Sequence, residues 1–264
     1  MPDDGTPNTH PSPQDWRDLA EKASTKLDPK KLTNIVSVKL RVLLADDHEI
    51  VRRGMRALLE KHEGWEVCGE ARDGREAIEK AIQLKPDVVI LDIGMPLLNG
   101  LETTRQLLKH DPDFKVIVLT ISDSDQVIRE ALDAGARGFV LKSDAARDLI
   151  SAVDELQNKR VFFTPRVNDM VLAGFLDKRQ AVSTTEASKL PALTAREREI
   201  TQLLAEGKTT KEVASILNLS TKTIETHRVN LMRKLSFHSI RDLVVYAIRN
   251  HLIQIEAGPP PKAP

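Results

Sequence analysis

Apolar residues along this chain change their period twice. Between residues 41 and 156, short apolar runs alternate with stretches where apolar positions recur every three or four residues. "RVLLA" (41–45), "WEVCGEA" (65–71), "DVVIL" (87–91), "KVIVLT" (115–120) and "GFVL" (138–141) have strand length. Between the first two, Ile50, Val51, Gly54, Met55, Leu58 and Leu59 recur at helical spacing. "GREAIEKAIQL", "LETTRQLLK", "SDQVIREALDAGA" and "DLISAVDEL" repeat that pattern. Five strands alternating with five helices predict an open parallel sheet covered on both faces. Right-handed crossovers leave few orders for it. The expected fold is α/β, a flavodoxin-like five-stranded doubly wound parallel sheet with its site at the C-terminal strand ends.

After residue 156 the strand period disappears. Residues 165–190 pass from an apolar patch at Met170–Leu176 into a Ser/Thr-rich stretch, which reads as a linker with room for one helix. Four helical segments without strands then run from Thr194 to about Leu252. The expected divisions are an extension (1–39), the α/β domain (40–158), a linker (159–189), a small all-α domain (190–256) and a disordered tail (257–264). Four prolines and no large apolar residue in 1–13 predict disorder there. Trp16, Leu19, Ala20, Ala23 and Leu27 predict a short amphipathic helix over 14–27.

Composition narrows the class. The 264 residues are 41% hydrophobic and 30% charged, enough apolar material for a core. No apolar run approaches the ~20 residues of a membrane helix, so no membrane partner is expected. The first residues lack the basic and apolar regions of a signal peptide. A single cysteine, Cys68, rules out an internal disulfide. Together these predict a cytoplasmic protein. Net charge is zero overall, but residues 41–155 carry 16 Lys and Arg against 23 Asp and Glu, whereas residues 190–251 carry 10 against 6. The asymmetry suggests two domains with different partners, nucleic acid for the basic one.

Chemistry concentrates at the strand ends. Strand one delivers Asp46 and Asp47, strand three Asp92, strand four Thr120 and strand five Lys142. Any single Asp after a strand reads as a turn or cap residue. Four strand ends carrying such groups together read as a site. Three carboxylates brought together repel unless a cation sits among them. Few, hard oxygen ligands suit Mg2+. With a hydroxyl and an ammonium alongside, the set fits phosphoryl transfer to a carboxylate.

"LLADDHEIVRRGM", "VVILDIGMPLLNG", "VIVLTIS" and "GARGFVLKS" resemble the receiver domain of two-component response regulators of the NarL/FixJ subfamily, over residues 41 to about 156. The resemblance implies that Asp92 is the phosphoacceptor. It implies Mg2+ held by Asp46, Asp47, Asp92 and the Gly94 carbonyl, and Lys142 paired with a phosphoryl oxygen. Thr120 is then the switch hydroxyl and Phe139 the switch aromatic. Two positions depart from many receivers: Ser143 stands where Pro often follows the lysine, and Ile121 where Ala often follows the threonine.

The all-α segment has its own signals. Thr194 with Glu197, and Thr209 with Glu212, fit capping boxes at two helix starts, and Gly207 suits a helix stop. "NLS" (218–220) is a short turn before a third helix whose inner stripe is Ile224, Leu231 and Leu235. Two helices joined tightly, the second polar outside, read as helix-turn-helix. Charge alone favours a small bundle with a solvated face. The segment from Leu193 to about Ile253 is similar to the LuxR-type helix-turn-helix. That similarity implies a recognition helix over 221–235. Glu225, Thr226 and Val229 would face bases, and Lys222, Thr223, His227, Arg228 and Lys234 would reach phosphates. The last helix, with Leu243, Val244, Ala247 and Ile248, would pair two copies.

The leading expectation is a phosphorylation-dependent transcriptional regulator and not an enzyme. A sensor histidine kinase would phosphorylate Asp92, and the phosphorylated chain would bind double-stranded promoter DNA as a homodimer. A constitutive DNA-binding protein with a partner-sensing receiver is the second reading. An aspartyl phosphatase or flavoprotein is the third. Gly94 stands where such phosphatases place a second acid, and "DDHE" would repel a flavin phosphate without metal.

Overall fold

The computed structural model describes residues 39–171 and 193–254. The expectations for the extension, the Ser/Thr-rich part of the linker and the tail lie outside the described residues. Five strands form one sheet: β1 (Leu40–Ala45), β2 (Trp65–Ala71), β3 (Val88–Asp92), β4 (Val116–Thr120) and β5 (Gly138–Leu141). The order is β2-β1-β3-β4-β5 and every pairing is parallel. This is the doubly wound sheet expected from the alternation. Its strand order reverses between β1 and β3, which opens a crevice at their C-terminal ends.

Five helices cover it: α1 (Glu49–Leu59), α2 (Gly74–Leu84), α3 (Gly100–His110), α4 (Asp125–Asp133) and α5 (Ala145–Gln157). Side chains alternate across each strand, so the sheet divides the core in two. Leu43, Val89, Leu91, Val116, Val118 and Phe139 face α2, α3 and α4. Val42, Leu44, Val88, Ile90, Ile117, Leu119 and Val140 face Met55 and Leu59 of α1 and Leu149, Val153 and Leu156 of α5. Strands buried on both faces explain why β3 and β4 read as continuous apolar runs. Side chains fix three of the helix starts. Asp73 accepts from the Arg75 and Glu76 N–H groups, Asn99 from Glu102 and Ser124 from Val127.

The beginning of the expected linker is structured. Phe162 adds a parallel bridge to the β5 edge, accepting from Phe139 N at 3.0 Å and donating to Arg137 O at 3.0 Å. Residues 165–171 are helical, and Val167 is buried in the α2–α4 side of the core. Arg166 pairs with Asp123 at 2.5 Å and Asp125 at 3.3 Å. The period of the sequence carried no sign of this edge, because one bridging residue has no repeat.

Four helices follow: α6 (Ala195–Ala205), α7 (Thr210–Ile216), α8 (Thr221–Lys234) and α9 (Ile240–Arg249). Both expected capping boxes are formed, and Ser239 with Asp242 makes a third at α9. Gly207 takes φ +82° after α6, and Asn218 takes φ +52° in the turn between α7 and α8. Asn tolerates that left-handed conformation better than most residues. Ile200, Leu203, Val213, Leu217, Ile224, Leu231, Leu235 and Leu243 form a separate core.

Candidate functional site

The crevice receives what the strand ends deliver. Asp92 closes β3, paired in register with Leu119, and is 2% exposed. Asp46 follows β1 and is wholly buried, with its N–H bonded to Ala71 O at 3.2 Å. Lys142 follows β5, its N–H held by Thr120 O at 2.8 Å. Its Nζ lies 2.8 Å from Asp46 Oδ2 and 3.0 Å from Asp92 Oδ2. Asp92 Oδ1 is buried without a hydrogen-bond partner among the described residues. Burial raises the Asp92 pKa to about 6, with Asp46 and Asp47 adding to the rise and Lys142 opposing it. Burial alone would lower the Lys142 pKa, but Asp92 and Asp46 together push it up. The ammonium therefore stays charged between two carboxylates.

Asp46, Asp47, His48 and Asp92 each offer a ligand atom, all within 4.8 Å of one another. This cluster could hold a metal ion, and the unpartnered Asp92 oxygen fits that use. His48 is the member that sequence reasoning missed. Its Nδ1 lies 2.9 Å from Asp47 Oδ1, and its backbone N–H donates to Asp46 Oδ1 at 2.8 Å. A histidine at the start of α1 carries no period or motif that would single it out. Gly94 lines the same cleft, of about 510 Å³, with Asp47, Asp92 and Lys142. Thr120 is buried at the end of β4. Its hydroxyl turns to its own loop, accepting from Ser122 N at 3.1 Å and donating to Ser122 O at 3.3 Å. Phe139 is packed inward beneath α4. Every described peptide bond is trans, Lys142–Ser143 included.

The second set of candidates lies on α8. Ser220 caps it, accepting from Thr223 N at 3.0 Å. Ile224 and Leu231 turn into the small core, which leaves Lys222, Glu225, Thr226, Arg228 and Val229 exposed. Val229 is 65% exposed. Thr223 and His227 are half-buried. Lys234 is tied to Glu197 Oε2 at 2.7 Å, bracing α8 against the start of α6. On α9, Leu243 and Ala247 are buried in the domain itself. Val244 and Ile248, the other two members of the expected contact, are half-buried, and Ile240 and Val245 are exposed, so these four, and not Leu243 and Ala247, are accessible to a second copy.

Comparison with known proteins agrees with both halves. Residues 42–154 match the response regulator receiver domain, and residues 191–247 match the bacterial regulatory proteins of the luxR family. The chain is 39% identical over 214 residues to the transcriptional regulatory protein LiaR of Bacillus subtilis, covering 81% of this chain and 99% of that one. This chain is a response regulator of the NarL/LuxR family. It is also 37% identical over 215 residues to the response regulator protein VraR of Staphylococcus aureus, covering 81% of this chain and 99% of VraR. A solved structure of the RcsB response regulator of Salmonella typhimurium superposes with a TM-score of 0.53 at 31% identity, covering 80% of this chain and 98% of RcsB. Like its relatives, this response regulator is a DNA-binding transcriptional regulator and not an enzyme. Among its described residues no helix is long and apolar enough to cross a membrane.

The receiver and the DNA-binding domain of this response regulator touch along the loop after Asp92. Gln202 of α6 donates to Met95 O at 3.1 Å and accepts from Asn99 N at 2.9 Å. Glu206, which ends α6, accepts from Leu97 N at 3.1 and 3.3 Å. Arg198 pairs with Glu102 at 2.7 Å, and Gln106 donates to Glu199 at 2.6 Å. Glu206, Ile253 and Gln254 line the cleft that contains Asp92. No sequence signal pointed to these three, because they stand more than a hundred residues from Asp92 and match no motif.

Proposed function

We propose that this response regulator takes a phosphoryl group on Asp92 from a sensor histidine kinase and then pairs on promoter DNA. The observation that carries the reading is Asp92 itself: a buried carboxylate with one oxygen on Lys142 and the other unpartnered. One Asp92 oxygen would be the nucleophile, leaving the other for the cation. An O–P bond forms as the P–N bond of a phosphohistidine breaks, and the imidazole nitrogen leaves with the electron pair and takes up a proton. Asp46, Asp47, Asp92 and the Gly94 carbonyl would hold Mg2+, which would supply charge neutralisation at the phosphoryl oxygens. Lys142 holds a phosphoryl oxygen as the new charge develops. Its present pairing with two acids keeps it cationic before the donor arrives.

The phosphorylated site then offers Thr120 a better partner than its own loop. Turning that hydroxyl inward opens space beside Phe139 and biases the receiver toward a second state. The bias is read out as a homodimer on double-stranded DNA. Two copies of α8 would enter successive major grooves roughly 34 Å apart. Glu225, Thr226 and Val229 would meet base edges. Lys222, Thr223, His227, Arg228 and Lys234 would meet phosphates, with Lys234 exchanging its bond to Glu197 for one to DNA.

The test is to incubate the full chain with phosphoramidate and Mg2+ and to assay for acyl phosphate on phosphate-affinity gels. Wild type is expected to be labelled and Asp92→Asn unlabelled. Labelling of Asp92→Asn at wild-type level sinks the assignment.

A further inference from the structure

Burying a guanidinium is costly unless its charge is paired and its donors are used. Arg52, on α1, is 4% exposed, whereas its neighbour Arg53 lies in the open. Two contacts account for its burial. Its Nη1 donates to Asp46 O at 2.7 Å, and its Nε donates to Glu70 Oε2 at 3.2 Å. The other Glu70 oxygen accepts from Arg56 Nε at 2.5 Å, one turn further along α1. Burial alone would raise the Glu70 pKa, but Arg56 and Arg52 outweigh it and hold it below the ordinary carboxylate value. Glu70 therefore stays ionised, and one carboxylate clamps α1 to β2.

The clamp ends on the loop that bears the acids. β1 stops at Ala45 and α1 starts at Glu49, so the Asp46 carbonyl lies beyond the strand and before the helix. Its peptide is held on each side all the same. Asp46 N donates to Ala71 O at 3.2 Å, and Arg52 supplies a donor for Asp46 O. Both supports trace to the end of β2, one from the Ala71 backbone and one from the Glu70 side chain through Arg52. With its backbone fixed, Asp46 turns its side chain into the cleft. There Oδ1 accepts from His48 N at 2.8 Å and Oδ2 lies 2.8 Å from Lys142 Nζ. Charge matters as well as geometry. An unneutralised guanidinium beside Asp46 would repel a cation entering the cluster of Asp46, Asp47 and Asp92. Glu70 balances that charge, so Arg52 can orient the loop without opposing a metal ion.

We propose that Arg52, anchored by Glu70, is a positioning residue for the acidic pair: it fixes the Asp46 peptide so that Asp46 and Asp47 present their carboxylates together to a divalent cation. This rests on Asp46, Asp47 and Asp92 holding the cation that serves phosphoryl transfer to Asp92. A planar fork reaches both Asp46 O and Glu70, whereas an ammonium at the same position is a single point and does not replace it. Loss of such an outer support typically lowers metal affinity about 10–100-fold.

The probe is Mn2+, whose free aqua ion gives a sharp electron paramagnetic resonance signal that is lost on binding. Titrating Mn2+ into the full chain should show one site in wild type. Arg52→Lys and Glu70→Gln should each weaken that site about tenfold. Met55→Ala opens the core beneath α1 without touching the loop, so it should lower the melting temperature and leave Mn2+ affinity at the wild-type value. Labelling by phosphoramidate should split in the same way. Arg52→Lys should need about tenfold more Mg2+ for its half-maximal rate, yet approach the wild-type rate at saturating Mg2+. A circular dichroism melt reports the folding of each variant. Should Arg52→Lys not fold, Glu70→Gln decides, since Glu70 is half-buried and its replacement leaves the Arg52 side chain in place. Wild-type Mn2+ affinity in the folded variants of Arg52 and Glu70, with the site lost in Asp46→Asn, overturns the positioning role and leaves the metal site standing. An equal loss of affinity in Met55→Ala does the same. Absence of Mn2+ binding in wild type, or binding that survives Asp46→Asn combined with Asp92→Asn, overturns the metal site and the positioning role with it.

Discussion

The proposed acceptor site and the proposed recognition helix differ in what the docked arrangement does to them. Asp92 is buried in a cleft whose mouth is completed by residues of the other domain. The outer face of α8 carries Glu225, Thr226, Arg228 and Val229 in the open, and the contacts between domains run through α6 and the segment after α9. The docked arrangement therefore covers the Asp92 cleft and leaves the outer face of α8 exposed. Inhibition by masking the base-reading face has no basis in this arrangement.

The largest expected effect lies at the acceptor. Asp92→Asn should form no acyl phosphate, because a neutral amide is a far weaker nucleophile than a carboxylate. Lys142→Ala should keep the nucleophile but lose the cation beside it. Removing one preorganised charge-stabilising donor typically costs 10²–10³-fold in rate, so a slowing of about that size is expected on phosphate-affinity gels. Thr120→Ala should separate the two steps. Its labelling should stay near wild type, while the gain in operator affinity on phosphorylation should disappear in a titration of labelled duplex. A Thr120→Ala protein that still responds would show that the switch runs through another group.

The exposed helix gives the next effect. A duplex with one half-site should bind the unphosphorylated chain and the phosphorylated chain within about threefold of each other, since α8 is open before phosphorylation. A duplex with two half-sites a helical turn apart should favour the phosphorylated chain by roughly a hundredfold, through avidity. Arg228→Ala should weaken both duplexes alike and lower the slope of log affinity against log salt by about one, as loss of one phosphate contact requires. A large phosphate-dependent change on the single half-site would break the comparison, because it would mean that the reading face is masked after all.

The two regions were also unequally legible in the sequence. Strand ends in a doubly wound sheet converge wherever the loops run, so Asp46, Asp92, Thr120 and Lys142 could be brought together from periodicity and topology alone. The capping boxes at Thr194 and Thr209 were equally readable, because both partners lie three residues apart. What stayed hidden depends on contacts across long separations. Glu206 and Gln254 reach the acceptor cleft only through domain docking, and Phe162 joins the sheet by a single bridge. Leu243 and Ala247 showed an apolar stripe on α9 that suited a dimer contact. Only the packing of α9 on its own domain revealed that they are already used.

The smallest expected effect tests whether α8 is positioned by its neighbours or by its own propensity. Glu197 accepts from Thr194 N at 2.8 Å and from Lys234 at 2.7 Å, so one carboxylate joins the start of α6 to the end of α8. Burial alone would raise its pKa, but Lys234 and the Thr194 groups outweigh that and hold it below the ordinary carboxylate value. A lowered pKa means that the folded state prefers the charged form. The stabilisation is then present above the unfolded pKa, near 4.5, and is lost as pH falls through the lower folded value. Thr194→Ala should cost about 1 kcal/mol in a urea melt at neutral pH, the usual cost of losing an N-cap. Glu197→Gln should remove the part of the stability that titrates below pH 4.5, leaving its melting temperature flatter than wild type between pH 5 and pH 3. Salt should discriminate further, because the Lys234 contact is partly exposed and screened whereas the Thr194 hydrogen bonds are not. If Glu197→Gln weakens DNA binding without lowering stability, the carboxylate sets the angle of α8. The exposed helix would then be tuned through a charge pair, as the buried acceptor is.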